Sequence, residues 1–484
     1  MTAKTPDNAL IWAVHRTQDW WKHIAENMGF SRHTVFTDRR GYGDRWITDD
    51  FYAAYRQLGR GEGGSADLLS DAELADVIAR CRVLRWLPQA KARRMALAMA
   101  IAADRLLDAT QPDVFLCRPI DSYVSDVVAR RARLRGIPCF EATTGPLDRM
   151  TMLMHRGRLI RVDAEPDPAE LDRRVHELAD PLFTPSYVQG LTAYTRARFL
   201  RTYGYFRLRS AAFGTWRHLA RDPLRCHLLD ALPYLGHKSR LSDIRITDMV
   251  DPNWEARIAD IPKERRVFFG LQLIPEAAID YWIEDLRLVR HEDMLIELAR
   301  NLTQAGYALV IKDHPLQFGF RQVALLDALT ALPNTVLVPY DVSGNAVLAR
   351  CGASVTATGT LGLQAAMVGN ASVVGEAYYT TPEDFIITRT WESLADIPRQ
   401  IAGWSPAEPL AARQRRIVAN LLRGSFDANY MSHAGFDRRR PPADVTALGR
   451  ALGEQVRRLG PTGEDWHRRH MPAGGGRHPG SPLN

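Results

Sequence analysis

Between residues 305 and 376 the chain repeats one pattern: a short apolar run rich in β-branched residues, an abrupt polar turn, then a helix. Such runs read as strands buried on both faces of a parallel sheet, joined by crossover helices. The first, Tyr307 to Ile311, is bounded by Gly306 and followed by Lys312-Asp313-His314-Pro315. Pro315 cannot donate to a ladder, so the strand stops before it. His314 then lies past a carboxyl end, where open α/β sheets place ligands. The second run, Ala353 to Ala357, leads into Thr358-Gly359-Thr360-Leu361-Gly362. Gly359 permits a tight turn, and Leu361 to Val368 reads as a helix closed by Gly369. A helix starting there aims free N–H groups and threonine hydroxyls at one spot, an anion site suited to phosphate. The plain alternative is structural. His-Pro recurs at His478-Pro479 in the tail, and Gly-Thr turns open many helices. Order favours the ligand reading, because both turns, with Asp341-Val342-Ser343 between them, fall on the strand ends of about two βα units.

The first third of the chain carries the same alternation. Leu10 to Val14 reads as a strand with His15 at its end, Gln18 to Met28 as a helix closed by Gly29, and Thr34 to Phe36 as a second strand. Gly59-x-Gly61-x-x-Gly64 fits the dinucleotide pattern, but no strand leads into it; it reads as a loop, with Ser65 capping a helix from Ala66. Residues 85–108 predict one or two helices. Pro112 to Cys117 and Ile137 to Phe140 predict strands ending at Arg118-Pro119-Ile120-Asp121 and Glu141-Ala142-Thr143-Thr144-Gly145. Between them Ser122 to Arg135 predicts a helix with a basic outer face. Asp121 and Glu141 become candidate cleft carboxylates. Met150 to Met154 and Leu159 to Val162 predict a hairpin around Arg156-Gly157.

From about 163 to 260 the pattern changes. Asp167 starts a helix, and Tyr194 to Arg225 interleaves aromatics with arginines. It reads either as a solvated helical hairpin with ordinary core aromatics or as a docking surface for anionic lipid or acidic glycan. The net charge of +7 suits an acidic partner. Neither zinc-finger spacing nor an aromatic RNA-binding signature occurs, so nucleic acid is not expected. Five scattered cysteines (Cys81, Cys117, Cys139, Cys226, Cys351) read as reduced, mostly buried thiols of a cytoplasmic protein. Ala9 to Val14 is too short for a signal peptide, and no uncharged stretch approaches a membrane span.

Val267-Phe268-Phe269-Gly270-Leu271-Gln272-Leu273-Ile274-Pro275-Glu276 resembles the opening strand and Pro-Glu turn of bacterial capsule-polysaccharide biosynthesis proteins. Lys312 to Pro315 resembles that family's Lys-acidic-His-Pro motif. Thr358 to Ala366, with Gly375 and Tyr378, resembles its Ser/Thr-rich segment and following loop. The family includes transferases of 3-deoxy-manno-octulosonic acid (Kdo) from its CMP-linked form. The likeness covers residues 260–400 well and 110–165 loosely; where family members carry Glu, this chain has Gln364.

The resemblance implies an α/β, GT-B-like fold of two Rossmann-type domains facing a cleft. The expected divisions are an acceptor domain at 1–165, a basic helical insertion at 166–260, a nucleotide-sugar domain at 261–402, C-terminal helices at 403–458 and a disordered tail at 459–484. Arg413, Arg415 and Arg416 are expected to be exposed on the C-terminal helices. The implied activity is transfer of a Kdo-like sugar from a CMP-linked donor to a glycan or glycolipid. The location would be cytoplasmic, with a peripheral site at the anionic inner-membrane surface. The expected donor contacts are Gln272, Glu276, Lys312, His314, Pro315, Ser343, Thr358, Gly359 and Thr360, although a helix cap is the simpler role for Ser343. A carboxylate near the anomeric carbon would be Glu141, with Asp121 and Asp148 as alternates. No metal or other cofactor is expected: no Asp-x-Asp occurs, and a CMP leaving group carries one phosphate, which His314 and the Thr358-Gly359-Thr360 helix start can neutralise. Two other readings stay open, a teichoic-acid-type CDP-glycerol glycerophosphotransferase and a non-catalytic partner in polysaccharide export.

Overall fold

The computed structural model describes residues 6–61, 68–162, 164–185, 193–220, 239–405, 408–430 and 442–459. Two sheets organise it. The first is built on β1 (Asn8–Trp12), β2 (Arg32–Thr37), β3 (Arg45–Trp46), β4 (Val114–Cys117), β5 (Cys139–Thr144), β6 (Met150–His155) and β7 (Arg158–Leu159). The second comprises β8 (Arg266–Gly270), β9 (Ala308–Lys312), β10 (Thr335–Leu337), β11 (Ala353–Val355), β12 (Ala371–Val374) and β13 (Ile386–Ile387).

The second sheet runs β10-β9-β8-β11-β12-β13, all parallel. In order of appearance that is 3-2-1-4-5-6, the doubly wound order of a Rossmann domain, with its topological switch between β8 and β11. The strands are apolar because helices cover both faces: Val267 and Leu309 pack into one core layer, Phe268 and Val310 into the other. The first sheet runs β6-β5-β4-β1-β2-β3, parallel from β5 to β3, with β6 antiparallel and β7 completing a hairpin on it. Its switch lies between β1 and β4.

The chain then returns. After the helix Leu410–Leu422, β14 (Ser425–Asp427) adds antiparallel to β6 in the first sheet. The helix Pro442–Leu459 packs on Gln18–Asn27, where a Cβ on Gly449 would lie 2.6 Å from the Ile24 carbonyl oxygen. Its last residue is Leu459, one beyond the expected end of the C-terminal helices at 458. Two Rossmann-type domains with strand carboxyl ends turned to each other, and a C-terminal return to the first, make the fold GT-B-like.

Several local expectations need correction. β5 runs on through Glu141 to Thr144, so Glu141 sits inside the strand, not past its end. The helix Tyr123–Leu134 does not put all its basic residues outward. Arg130 is 7% exposed and bonds Asp126 and Asp76, because the adjoining helix Asp71–Arg80 supplies a matching carboxylate. Arg413 is 1% exposed: it donates to the Asp384 carbonyl at 2.5 Å and lies over the Trp404 ring. The cap of the helix Asp71–Arg80 is Ser70, in a capping box with Glu73. Ser65, Arg221, Arg225, Cys226 and the tail from residue 460 lie outside the described residues. The other four cysteines are free and buried. No helix among the described residues is long and apolar enough to cross a membrane.

Candidate functional site

At the switch of the second sheet, the loop leaving β8 meets the turn leaving β11. Gln272 Nε2 donates to Thr358 Oγ1 at 2.7 Å and to Glu276 Oε2 at 2.6 Å, and Gln272 Oε1 accepts from Thr358 N at 2.9 Å. Every polar atom of the amide is used, which fixes its orientation. The turn then enters the helix Thr360–Met367 with Gly359 as N-cap, and no side chain caps it. Of its first N–H groups, that of Gly362 donates to Gly359 O at 3.0 Å, and the positive end of the helix dipole still favours an anion at the sheet edge. Tyr379 Oη donates to Gly359 O at 2.7 Å, and a Cβ on Gly362 would lie 2.7 Å from that same hydroxyl. The helix start is held against β12 by close packing that only glycine permits.

Lys312 is the last residue of β9 and pairs in register with Gly270 of β8. Its side chain is 7% exposed, and its ammonium has no hydrogen-bond partner among the described residues. Burial pulls its pKa down to about 8, with Asp313 and Asp341 opposing. Holding that charge without a hydrogen-bond partner costs about 3 kcal/mol relative to water, a cost that a nearby anion would offset.

Asp313 anchors the motif from below. It accepts from Arg321 Nε at 2.7 Å, from Tyr340 Oη at 2.6 Å and from His314 N at 2.8 Å. Both side chains of the Arg321 pair are wholly buried. Arg321 Nη2 also donates to Gln272 O at 2.7 Å, so one arginine ties the β9 turn to the β8 loop. The Leu316 N–H donates to His314 Nδ1 at 3.2 Å, which assigns the ring proton to Nε2. Burial lowers the His314 pKa, so a neutral imidazole presents one N–H donor. Pro315 opens a short 3-10 turn with His314 as its cap.

Ser343 is exposed and caps the helix Gly344–Arg350 by accepting from Ala346 N at 3.2 Å. It sits one strand further out, and the cap accounts for it. Gln364 donates to the Phe183 carbonyl at 2.8 Å. A carboxylate there would face that oxygen without a proton, so the amide suits this chain's strap from residues 180–185.

The carboxylates separate. Glu141 is 1% exposed; its oxygens accept from Ile120 N at 2.8 Å and from Arg156 N at 2.5 Å. Burial raises its pKa to about 7, with those amides opposing. It belongs to a buried network with Arg156, Asp126, Arg130 and Asp76, not to an open cleft. Asp148 is exposed and lines a cavity of about 580 Å³ beside the helix Pro168–Ala179, with Arg149, Glu170 and Asp427. Asp121, past the end of β4, is different. One oxygen accepts from Arg118, and Oδ1 is buried without a hydrogen-bond partner among the described residues.

Across the gap, Arg82 bonds Asp280 of the second domain at 2.5 Å, and its charge is further favoured by Asp121 of the first. Glu276 stands nearby; its carboxyl is pushed up by burial, with Gln272 and Arg82 opposing. Arg80 and Arg85 complete this interdomain contact. Arg80 donates to the carbonyls of Asp280, Ile283 and Glu284, and Arg85 to Asp280 Oδ1 at 2.9 Å. Asp121, Arg82 and Glu276 thus line the seam between the strand ends. Sequence reasoning missed Arg82 and Arg321; no local pattern marks either.

No family model matches the chain, and no curated protein matches it. Among solved structures it is similar to the β-Kdo 2,4 transferase KpsC of Thermosulfurimonas dismutans, at 11% identity and TM-score 0.37 over 64% of this chain and 79% of that one. It is also similar to the UDP-GlcNAc 2-epimerase of Neisseria meningitidis bound to UDP-GlcNAc, at 11% identity and TM-score 0.25 over 86% and 99%. A third is the glycotransferase of kitacinnamycin, at 16% identity and TM-score 0.25 over 94% and 99%. At these scores the likenesses assign neither substrate nor residue roles, and the fold assignment stands on the two sheet orders and the C-terminal return.

Proposed function

We propose that the chain is a glycosyltransferase of capsule or surface-polysaccharide biosynthesis. It would move a Kdo-like sugar from a CMP-linked donor, held by the second domain, to a glycan or glycolipid held by the first. The observation that carries the proposal is the unpaired, buried ammonium of Lys312. It lies on the strand end next to the Gln272–Thr358 clamp and the uncapped helix start at Thr360. A single phosphate there would meet one cation, the His314 Nε2 donor and the positive end of the helix dipole. Those groups favour the departing CMP over the bound ester, because charge grows on the phosphate as the glycosidic bond breaks.

Asp121 is the carboxylate best suited to take the acceptor proton. It lies in the turn after β4 of the first domain and keeps one buried oxygen without a hydrogen-bond partner among the described residues near the seam. Glu141 would serve as a structural group. The acceptor would be presented at the anionic inner-membrane surface. Incubation with CMP-linked and UDP-linked donors, scoring nucleotide release, tests the proposal. CMP release that requires both acceptor and His314 supports it, and release of UDP alone rejects it.

A further inference from the structure

Among the described residues, the helix Arg196–Ala220 is held to the protein along one face, with Arg196 bonding Asp248 and Arg207 bonding the Ser239 carbonyl at its edge. Phe199 is buried and meets Phe318 edge-on at 6.2 Å, and Phe206 meets Phe320 at 4.9 Å. Thr202 fits against Gly319, where a Cβ would come within 2.8 Å. This attachment is to the loop that follows His314 and Pro315. The opposite face carries Leu200 at 47% exposure, Tyr205 at 54%, and Leu208 and Leu219 at 74% each. At 3.6 residues per turn these four, with exposed Ala212 between them, span an arc of about 140°. Arg198 and Arg209 fall on one rim of that arc, Arg207 on the other, and Arg201 within it. The helix holds six arginines and no Asp or Glu.

We infer that this face lies on an anionic lipid bilayer, with the leucines and Tyr205 in the headgroup layer and the arginines against lipid phosphates. Charge selects that occupant. A second copy docked on the same face would set Arg198, Arg201, Arg207 and Arg209 against their own counterparts, whereas an anionic leaflet complements them. Two of the aromatics expected to dock, Phe199 and Phe206, instead attach the helix to the second domain, so leucines and Tyr205 make up the membrane face. The attachment sets the donor site at a fixed height above the lipid. This deepens the proposed acceptor location, and its test is independent of the donor: vesicle binding is read without substrate.

The full chain is floated with vesicles of phosphatidylcholine, alone or with phosphatidylglycerol. Binding is expected only with phosphatidylglycerol, falling as salt rises. Leu208→Asp with Leu219→Asp is expected to cut the bound fraction about tenfold, with an unchanged melting curve and unchanged turnover of a soluble acceptor. Arg201→Glu should weaken binding in the same direction. Failure of the wild-type chain to float, or variants floating like wild type, overturns the inference. So does a concentration-dependent dimer that the same aspartates disperse, since the face would then belong to a second copy.

Discussion

The side chain of Gln272 and the backbone of Thr358 hold each other: the amide oxygen accepts from Thr358 N at 2.9 Å while the amide nitrogen donates to Thr358 Oγ1 at 2.7 Å. The two residues lie in the turns that follow adjacent strands at the switch of the second sheet. Replacing Gln272 with Ala leaves the Thr358 N–H buried and unsatisfied, at about 1–3 kcal/mol. The expected result is a donor KM raised tenfold or more, with a smaller change in kcat. Gln272→Glu should do worse, because it sets a second carboxylate against Glu276 and cannot donate to Thr358. Steady-state kinetics with varied donor checks both, and unchanged donor KM in folded variants contradicts the clamp's role.

His314→Ala should lower kcat/KM for the donor about a hundredfold, or roughly 3 kcal/mol of transition-state stabilisation, with an unchanged melting temperature. The side chain is half-buried and accepts one backbone bond, so its structural share is small. Near-normal turnover by a folded variant removes His314 from the site.

Lys312 predicts a pH dependence with a definite sign. Its free pKa is depressed to about 8, so the charge it carries below that pH is destabilising in the empty protein. Any stability gained by deprotonation is present above the unfolded value of 10.5 and lost as pH falls through 8. A bound phosphate favours the ammonium and raises the pKa, so binding takes up a proton above pH 8. CMP affinity should be flat below that pH and fall above it, and Lys312→Met should flatten the profile. Titration calorimetry in buffers of different ionisation enthalpy measures the proton uptake directly.

Asp121 and Glu141 are expected to part company. Asp121→Asn should cost at least about a hundredfold in kcat while leaving CMP affinity intact. Glu141→Gln should keep turnover within about tenfold and act on stability instead. The Glu141 pKa is raised from 4.5 to about 7 by burial. Its neutral form is therefore the stabilising one: the contribution is present below 4.5 and lost as pH rises through 7. Relative to wild type, Glu141→Gln should melt higher at pH 8 than at pH 5. The opposite ranking of the two variants in kcat would restore Glu141 as the reacting carboxylate.

The strand-and-turn skeleton of the second domain was legible because buried parallel strands must be apolar throughout and must stop at residues that cannot pair. Lys312 to Pro315 and Thr358 to Gly362 were placed on sheet edges by that rule alone. The rule misplaced Glu141. β5 continues through Glu141, Thr143 and Thr144, whose backbone bonds to β6 do not require apolar side chains. Arg321 and Arg82 could not be found at all. Their partners, Gln272 and Asp280, lie 49 and 198 residues away, and nothing local to either arginine records the contact. Arg413 was misjudged for the same reason. A charged residue on an amphipathic helix reads as exposed until Asp384 and Trp404 are known to lie against it.

Turnover of a CMP-linked Kdo-type donor in the presence of EDTA tests the central claim most directly. A leaving group with one phosphate, facing Lys312, the His314 donor and an uncapped helix start, needs no divalent ion to disperse its charge. CMP should be released at the same rate with and without EDTA, and His314→Ala should slow the release about a hundredfold. Loss of turnover in EDTA with recovery on adding Mg²⁺ or Mn²⁺, or release of UDP but never CMP across a donor panel, would contradict the account.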